Sequence, residues 1–214
     1  CSAAWLGVQP FAQVLHRLAS LRWVCPVFRQ REREMEFLTQ HWAPILASAF
    51  IVWVASAILH MALPIHKGDF VQLPDEAKVL AAIEGLKPGQ YMFPWGTMED
   101  MKNPEYIEKQ KKGPVGTLSI WPGSVNMGQN LMLTLLFYIV VGVFVAYLSA
   151  HSLPAGAPYL KVFQITGTAA FMAHGMGWIP RVIWFRDKGF FGYLFDSVVF
   201  ALLTGGTFGW LWNR

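Results

Sequence analysis

Three ionisable side chains lie inside long apolar stretches of the sequence, and they are His60, His174 and Asp196. A charged side chain at the centre of a membrane-spanning helix costs roughly 3 kcal/mol on insertion scales, so such residues mark functional sites or specific pairing. We predict that the three side chains share one polar pocket close to one membrane surface. The residues expected at the rim of this pocket are His66, Arg181 and Arg186.

Two interpretations of this pocket remain open from the sequence. In the first, Asp196 pairs with Arg181 or Arg186, and the pocket serves only to hold the helices together. In the second, the pocket binds a small molecule, an ion or a proton, and Asp196 with His174 titrates near neutral pH. The two interpretations predict different partners for the Asp196 carboxylate.

A membrane-embedded enzyme or metal centre is a third, less favoured interpretation. His60 and His66 are six residues apart with Pro64 between them, whereas ligands four residues apart share a helical face. The sequence also contains no phosphate-binding loop, no dinucleotide fingerprint, no His-Glu-x-x-His and no Gly-x-Ser-x-Gly. We therefore predict no catalytic residue, no metal ligand and no cofactor, and leave open whether the protein is an enzyme.

Four apolar segments must position these side chains. Each is about 20 residues long, which is enough to cross roughly 30 Å of hydrocarbon as a helix. The predicted spans are about 42–63, 130–150, 159–179 and 190–212. Together they predict an all-α membrane protein in which four transmembrane helices form a bundle.

Composition agrees with a chain whose main partner is the lipid bilayer. Hydrophobic residues make up 54% of the sequence and charged residues only 14%, against roughly 25% charged residues in soluble domains. The net charge of +4 is small and scattered, which argues against a nucleic-acid partner.

The positive charges predict the orientation of the bundle. Seven lysines lie in the loop 64–129, and three basic residues lie between the third and fourth spans. Because cytoplasmic loops carry the excess of Lys and Arg, we expect both loops in the cytoplasm of a bacterial cell, with the protein in the inner membrane. The long loop carries a predicted amphipathic helix over about 74–86, followed by a strand-like segment at 117–121.

The first 34 residues require separate treatment because the first methionine is Met35, directly after Arg31-Glu32-Arg33-Glu34. Codons for this tetrapeptide can form a purine-rich run like a bacterial ribosome-binding site. We predict that 1–34 is an untranslated leader or a processed segment, and that 35–214 is a single membrane domain. The alternatives are a lipidated Cys1 and a cleavable targeting peptide over 12–31.

Small residues recur every four positions in three of the predicted spans. Such stripes let helices approach closely within lipid. They can be used inside one bundle or in a homo-oligomer. The stripes are Gly142, Ala146 and Ala150, then Ala169, Ala173 and Gly177, then Gly205 and Gly209.

Several short motifs together carry a resemblance over residues 35–214. They are Ile58-Leu59-His60-Met61 with His66, Leu73-Pro74-Asp75-Glu76, Pro88-Gly89-Gln90-Tyr91-Met92, Gly113-Pro114, Phe195-Asp196-Ser197 and the glycine-rich stretch 202–212. In these motifs the chain resembles a family of small uncharacterised bacterial four-helix integral membrane proteins with no assigned activity. The resemblance implies a structural or accessory membrane protein, and no catalytic role carries over from it.

Overall fold

The computed structural model describes residues 25–212, with the side chains of residues 36–212. The first 24 residues of the predicted leader lie outside the described range. The helices within this range are α1 (Cys25–Met61), α2 (Glu76–Ile83), α3 (Pro104–Lys112), α4 (Met127–Ser152), α5 (Tyr159–Gly175), α6 (Trp178–Phe185) and α7 (Phe190–Leu211). Between α1 and α4 the described chain adds the strands β1 (Gly89–Phe93) and β2 (Gly116–Ile120) and the 3₁₀ turns Pro64–His66 and Asp100–Lys102.

Three of the described helices are long and apolar enough to cross a membrane: Glu36–Met61 of α1, α4 and α7. Only 33%, 28% and 39% of their most apolar windows are buried inside the protein. Large apolar side chains such as Phe50, Phe144 and Leu202 therefore face outward. Water would oppose such a surface, whereas lipid tails are as apolar as these side chains. The described chain is mostly helical and compatible with a membrane protein.

The predicted third span, 159–179, is not one continuous helix. The helix α5 has 17 residues, about 25 Å at 1.5 Å per residue, and ends at Gly175. The chain then begins α6 at Trp178. Pro180 explains the break, since proline lacks an N–H and fits the first turn of a new helix but disrupts a continuing one.

The helix α1 is bent near the start of its apolar part. His41 has non-helical backbone angles, and Pro44 follows three residues later within the helix. Because Pro44 cannot bond the carbonyl of the preceding turn and clashes with it, the helix changes direction there. The bend coincides with the predicted beginning of the first span.

The helices pack most extensively as the pairs α5 with α7 and α1 with α4, and α1 also packs against α7. Glycines permit the closest approaches. A methyl group placed on Gly205 would lie 3.0 Å from the carbonyl oxygen of Phe163, and one on Gly142 would lie 3.3 Å from that of Ile45. The predicted stripes of α4 and α7 are thus used inside the bundle.

The stripe predicted on α5 does not form its packing face. The small residues that α5 buries are Thr166, Gly167, Ala170 and Gly175, whereas Ala173 is exposed. Positions 166, 170 and 174 lie on one face of the helix, whereas positions 169 and 173 lie to one side of it. The packed face of α5 is therefore rotated about the helix axis relative to the predicted stripe. The homo-oligomer remains a prediction.

None of the residues from 61 to 130 is buried. The predicted amphipathic helix is α2, shorter than expected, with the Asp75 side chain accepting a hydrogen bond from the Lys78 N–H at its start. The strand-like segment is β2, which pairs antiparallel with β1 so that Gly89 lies opposite Ile120. The sequence predicted the strand-like segment of this hairpin but not its partner β1, which has no clear alternation of apolar and polar residues.

Candidate functional site

The site begins where α1 ends. The helix stops at Met61, and the 3₁₀ turn Pro64–His66 folds the chain back over its last turn. The His66 ring consequently stacks on the His60 ring, with centroids 4.2 Å apart and planes 9° from parallel. The spacing argument against a metal site does not apply to this geometry, because the two histidines do not lie on one continuous helix.

The third member of the site comes from α7. Asp196 is the seventh residue of that helix, as predicted, and only 2% of its surface is exposed. Its Oδ2 lies 3.0 Å from Nε2 of His66 and 3.6 Å from Nε2 of His60. One carboxylate oxygen therefore contacts two imidazoles that come from a helix end and from the turn after it.

The other oxygen of the same carboxylate is buried without a partner. Within the described part of the chain, no group makes a hydrogen bond to Oδ1 of Asp196. A buried acceptor left unsatisfied costs about 1–3 kcal/mol, and more when it carries charge. A cation or a hydrogen-bond donor placed next to Oδ1 would therefore stabilise the site.

A second carboxylate orients His66 from the opposite side. Nδ1 of His66 donates a hydrogen bond to Oδ2 of Asp69 over 2.7 Å, and the Asp69 side chain is mostly buried. Burial of the His66 ring opposes its protonation. The hydrogen bonds and charges of Asp69 and Asp196 together outweigh this effect, so the pKa of His66 lies above its usual 6.5.

The three donor atoms have separations that suit one metal ion. Ligand atoms of His60, His66 and Asp196 all lie within 4.8 Å of one another. Two atoms about 2.1 Å from one ion, at 90–110° around it, would be about 3.0–3.4 Å apart. The observed 3.0 Å lies at the lower end of this range and 3.6 Å lies just above it, and the donor atoms of His60 and His66 lie within 4.8 Å of each other. The hydrogen bond from His66 to Asp69 is the outer-shell contact that metal-bound histidines usually make.

A cavity of about 850 Å³ adjoins these ligands. His60 and Asp196 form part of its wall, and residues of α1, α4, α5, α6 and α7 complete it. Most of the remaining lining is aromatic or aliphatic, including Trp53, Leu131, Phe137, Tyr138 and Phe200. Most of the wall is therefore apolar, and its polar groups include the pair His60 and Asp196 together with Arg181 and His174.

His174 lies in the same wall but away from the carboxylate cluster. Its ring makes edge contacts with Tyr138 and Phe200, at centroid distances of 5.6 and 5.3 Å. Among the described residues, the hydrogen-bond and ion-pair partners of Asp196 are His60 and His66 and not His174. The predicted pairing of His174 with Asp196 is therefore absent from the described contacts.

The two arginines of the predicted rim do not pair with Asp196. Arg181 lines the cavity and donates to Oδ2 of Asp187 over 3.3 Å, with its guanidinium 5.5 Å from the Trp178 ring. Arg186 ends α6 in a left-handed conformation, and its side chain is exposed. The predicted arginine partner of Asp196 was wrong, because the turn after α1 brings His66 closer than either arginine.

Sequence reasoning also missed two contributors to the site. Asp69 follows His66 by three residues, and the His-x-x-Asp spacing after a turn-forming proline was the available signal. Tyr193 lies one turn before Asp196, with its ring 5.1 Å from that of His66 and stacked at 3.6 Å on Trp178. No local pattern predicts that second contact, since it joins two helices.

Comparison with known proteins finds no matching family model, no matching curated protein and no matching solved structure. The geometry of the site is therefore the basis for any statement about what the protein does.

Proposed function

We propose that the protein is an integral membrane protein that binds one divalent transition-metal ion between His60, His66 and Asp196. The observation that carries the proposal is the convergence of two imidazoles on a buried carboxylate whose Oδ1 has no partner among the described residues. A metal ion accepts the lone pairs of both imidazoles and neutralises the carboxylate, and binding through both carboxylate oxygens gives Oδ1 a partner as well. The hydrogen bond from His66 to Oδ2, by itself, leaves Oδ1 without a partner among the described residues.

The donor set indicates which ions fit. Imidazole and carboxylate ligands suit Zn²⁺ and its first-row neighbours, whereas Mg²⁺ and Ca²⁺ prefer oxygen alone. Three protein ligands leave at least one position for water or another ligand. His60 and Asp196 reach the cavity, so this open position faces the apolar chamber.

The membrane setting belongs to the same proposal. The three long apolar helices cross the bilayer, and α5 supplies the fourth crossing through its packing on α7. The bacterial inner membrane, the cytoplasmic side for residues 64–129 and the family resemblance are retained as predictions. The structural or accessory role expected from the resemblance is compatible with a bound metal, which would also link α1 to α7.

Zinc titration of the purified protein tests this function. The full chain in nonionic detergent is stripped with a chelator and then titrated with Zn²⁺ by calorimetry, and in parallel with Co²⁺ by visible absorption. We expect one ion per chain and Co²⁺ bands typical of four or five ligands. His66→Ala and His60→Ala should each weaken binding at least about 100-fold, since even the loss of an outer-shell partner costs 10–100-fold.

His151→Ala is the matched control. The His151 ring donates to the Tyr147 carbonyl oxygen at the far end of α4, so its removal deletes an imidazole without touching the site. Zinc binding that survives in His66→Ala, or that His151→Ala weakens equally, would overturn the proposal. Thermal unfolding of each variant in the same detergent shows whether it remains folded.

A further inference from the structure

The cavity beside the ligands is larger than a metal ion and its water require. Its volume of about 850 Å³ falls within the roughly 300–1,000 Å³ of small-molecule sites. Met61 and Met127 line the cavity and are 73% and 63% exposed, so they mark its mouth at the end of the bundle where α1 stops and α4 begins. An elongated molecule can enter there without unfolding the bundle.

The lining is mostly apolar and carries a few polar side chains, among them His174, Ser56 and Thr134. Trp53, Leu131, Phe137 and Phe200 provide apolar wall. The charged groups in the lining belong to Asp196 and Arg181, with the His60 imidazole beside Asp196. This combination matches an amphiphile that has one apolar chain and one compact polar head.

The bound metal determines the chemistry of that head. Zn²⁺ carries two positive charges, and one carboxylate among its three protein ligands leaves the coordination sphere positive. An anionic oxygen donor at the open position neutralises it in a low-dielectric environment better than a neutral one. Arg181 adds a second cationic group, which contacts Asp187 at 3.3 Å and the Trp178 ring at 5.5 Å.

We propose that the cavity binds a long-chain carboxylic acid, with its carboxylate coordinated to the metal at His60, His66 and Asp196 and its alkyl chain among the aromatic side chains. This inference rests on the proposed metal site. The ligand binds without a covalent step, and the carboxylate replaces the water of the metal. Arg181 lines the same cavity, and the proposal makes its guanidinium the second cation that contacts the head group.

Tryptophan quenching by a brominated chain tests the inference. The zinc-loaded protein in nonionic detergent is titrated with ω-bromododecanoate and, separately, with its methyl ester, which has the same chain and no charge. We expect the apparent affinity obtained from tryptophan quenching to be at least tenfold higher for the acid than for the ester. Removal of zinc should lower the apparent affinity of the acid to that of the ester.

Tryptophan variants test where the alkyl chain of the ligand lies. Trp53 and Trp178 line the cavity, so Trp53→Phe and Trp178→Phe should each remove part of the quenching. Trp42 is 61% exposed near the start of the apolar part of α1, away from the cavity, and Trp42→Phe should leave the acid-specific quenching unchanged. Arg181→Gln should weaken acid binding while one zinc ion per chain remains bound.

Zinc content is measured on every sample, which separates the two proposals. Bound zinc with equal quenching by acid and ester overturns the carboxylate ligand and leaves the metal site standing. Absence of bound zinc overturns both. Equal loss of quenching in Trp42→Phe and Trp53→Phe shows that the chain partitions over the outer surface, and this result also overturns the cavity assignment.

Discussion

The apolar part of α1, Glu36–Met61, carries a histidine towards each of its ends, and the surroundings of the two histidines differ. His41 is 7% exposed and stacks on the Trp212 ring, with centroids 4.1 Å apart. His60 has 40% of its side chain exposed and lies beside the buried Asp196. The more buried histidine has no carboxylate among its described contacts, so burial alone does not make a ligand site.

The packing around each histidine explains this difference. At the His41 end, Phe37 and Trp212 belong to a continuous apolar core that includes Val145 and Phe208. At the His60 end, α5 stops at Gly175 and α6 begins a new helix, which leaves the 850 Å³ cavity. The same helices therefore close tightly at one end and remain apart at the other.

The largest expected effect is at the open end. Asp196→Asn removes the anionic ligand with little change in shape, and we expect zinc affinity to fall at least about 100-fold, more than the loss of an outer-shell partner costs. Calorimetric titration in detergent measures it. Asp187→Asn, on a carboxylate that pairs with Arg181 instead, is the control and should keep its zinc affinity. Equal losses in the two variants would contradict the assignment of Asp196 as a ligand.

Asp69→Asn tests the orientation of His66. The amide cannot stabilise the ring as the carboxylate does, so zinc affinity should fall about 10–100-fold while the stoichiometry stays at one. Asp75→Asn is matched in chemistry and lies in the exposed loop, where Asp75 caps α2 and pairs with Lys78. If Asp69→Asn binds zinc as tightly as Asp75→Asn does, the carboxylate has no outer-shell role.

Gly205→Val tests the close approach of α5 and α7 away from the site. The added side chain meets the Phe163 carbonyl oxygen, and overpacking of this kind costs about 1–3 kcal/mol. The midpoint of thermal unfolding in detergent should fall, with zinc affinity retained in the folded fraction. At Gly206 the nearest atom to an added methyl is the Tyr159 hydroxyl, 3.8 Å away, so Gly206→Val should change the midpoint much less. A reversed order of the two midpoints would place the tight helix contact elsewhere.

His41→Phe is expected to have the smallest effect. Phenylalanine retains the stacking on Trp212 and removes Nδ1, which is buried without a hydrogen-bond partner among the described residues. Removal of an unsatisfied polar atom is neutral or stabilising, so the free energy of unfolding should change by about 1 kcal/mol or less. Chemical or thermal unfolding measures the change. In calorimetric titration with Zn²⁺, His60→Phe should lose zinc binding and His41→Phe should retain it. A loss of zinc binding in His41→Phe would contradict the distinction between the two histidines.

Parts of the site follow from local sequence. Asp196 stands out as a carboxylate within an apolar run, and its depth of seven residues in α7 matches the prediction. His60 stands out in the same way at the end of α1. These positions are predictable because an ionisable residue within an apolar run is visible in the composition of that run alone, and its burial there is costly.

The partners of Asp196 did not follow from local sequence. Arg181 and Arg186 are charged residues near α7 in the chain, and opposite charge made them the expected partners. Arg181 instead pairs with Asp187, six residues away, while His66 reaches Asp196 from 130 residues away. A contact at that separation depends on the direction of the turn after α1, which hydropathy does not encode.

The sequence by itself determined the three long apolar helices, the strand β2 and the ionisable residues within the apolar segments, because each depends on composition or spacing within one stretch of chain. Only the tertiary structure decided that α5 ends at Gly175 and that His60, His66, Asp69 and Asp196 meet beside a cavity. The physical reason is that ligand geometry arises between elements. A 3₁₀ turn after one helix and the seventh residue of another must converge to within about 3 Å, and this convergence is set by how α1 packs against α7.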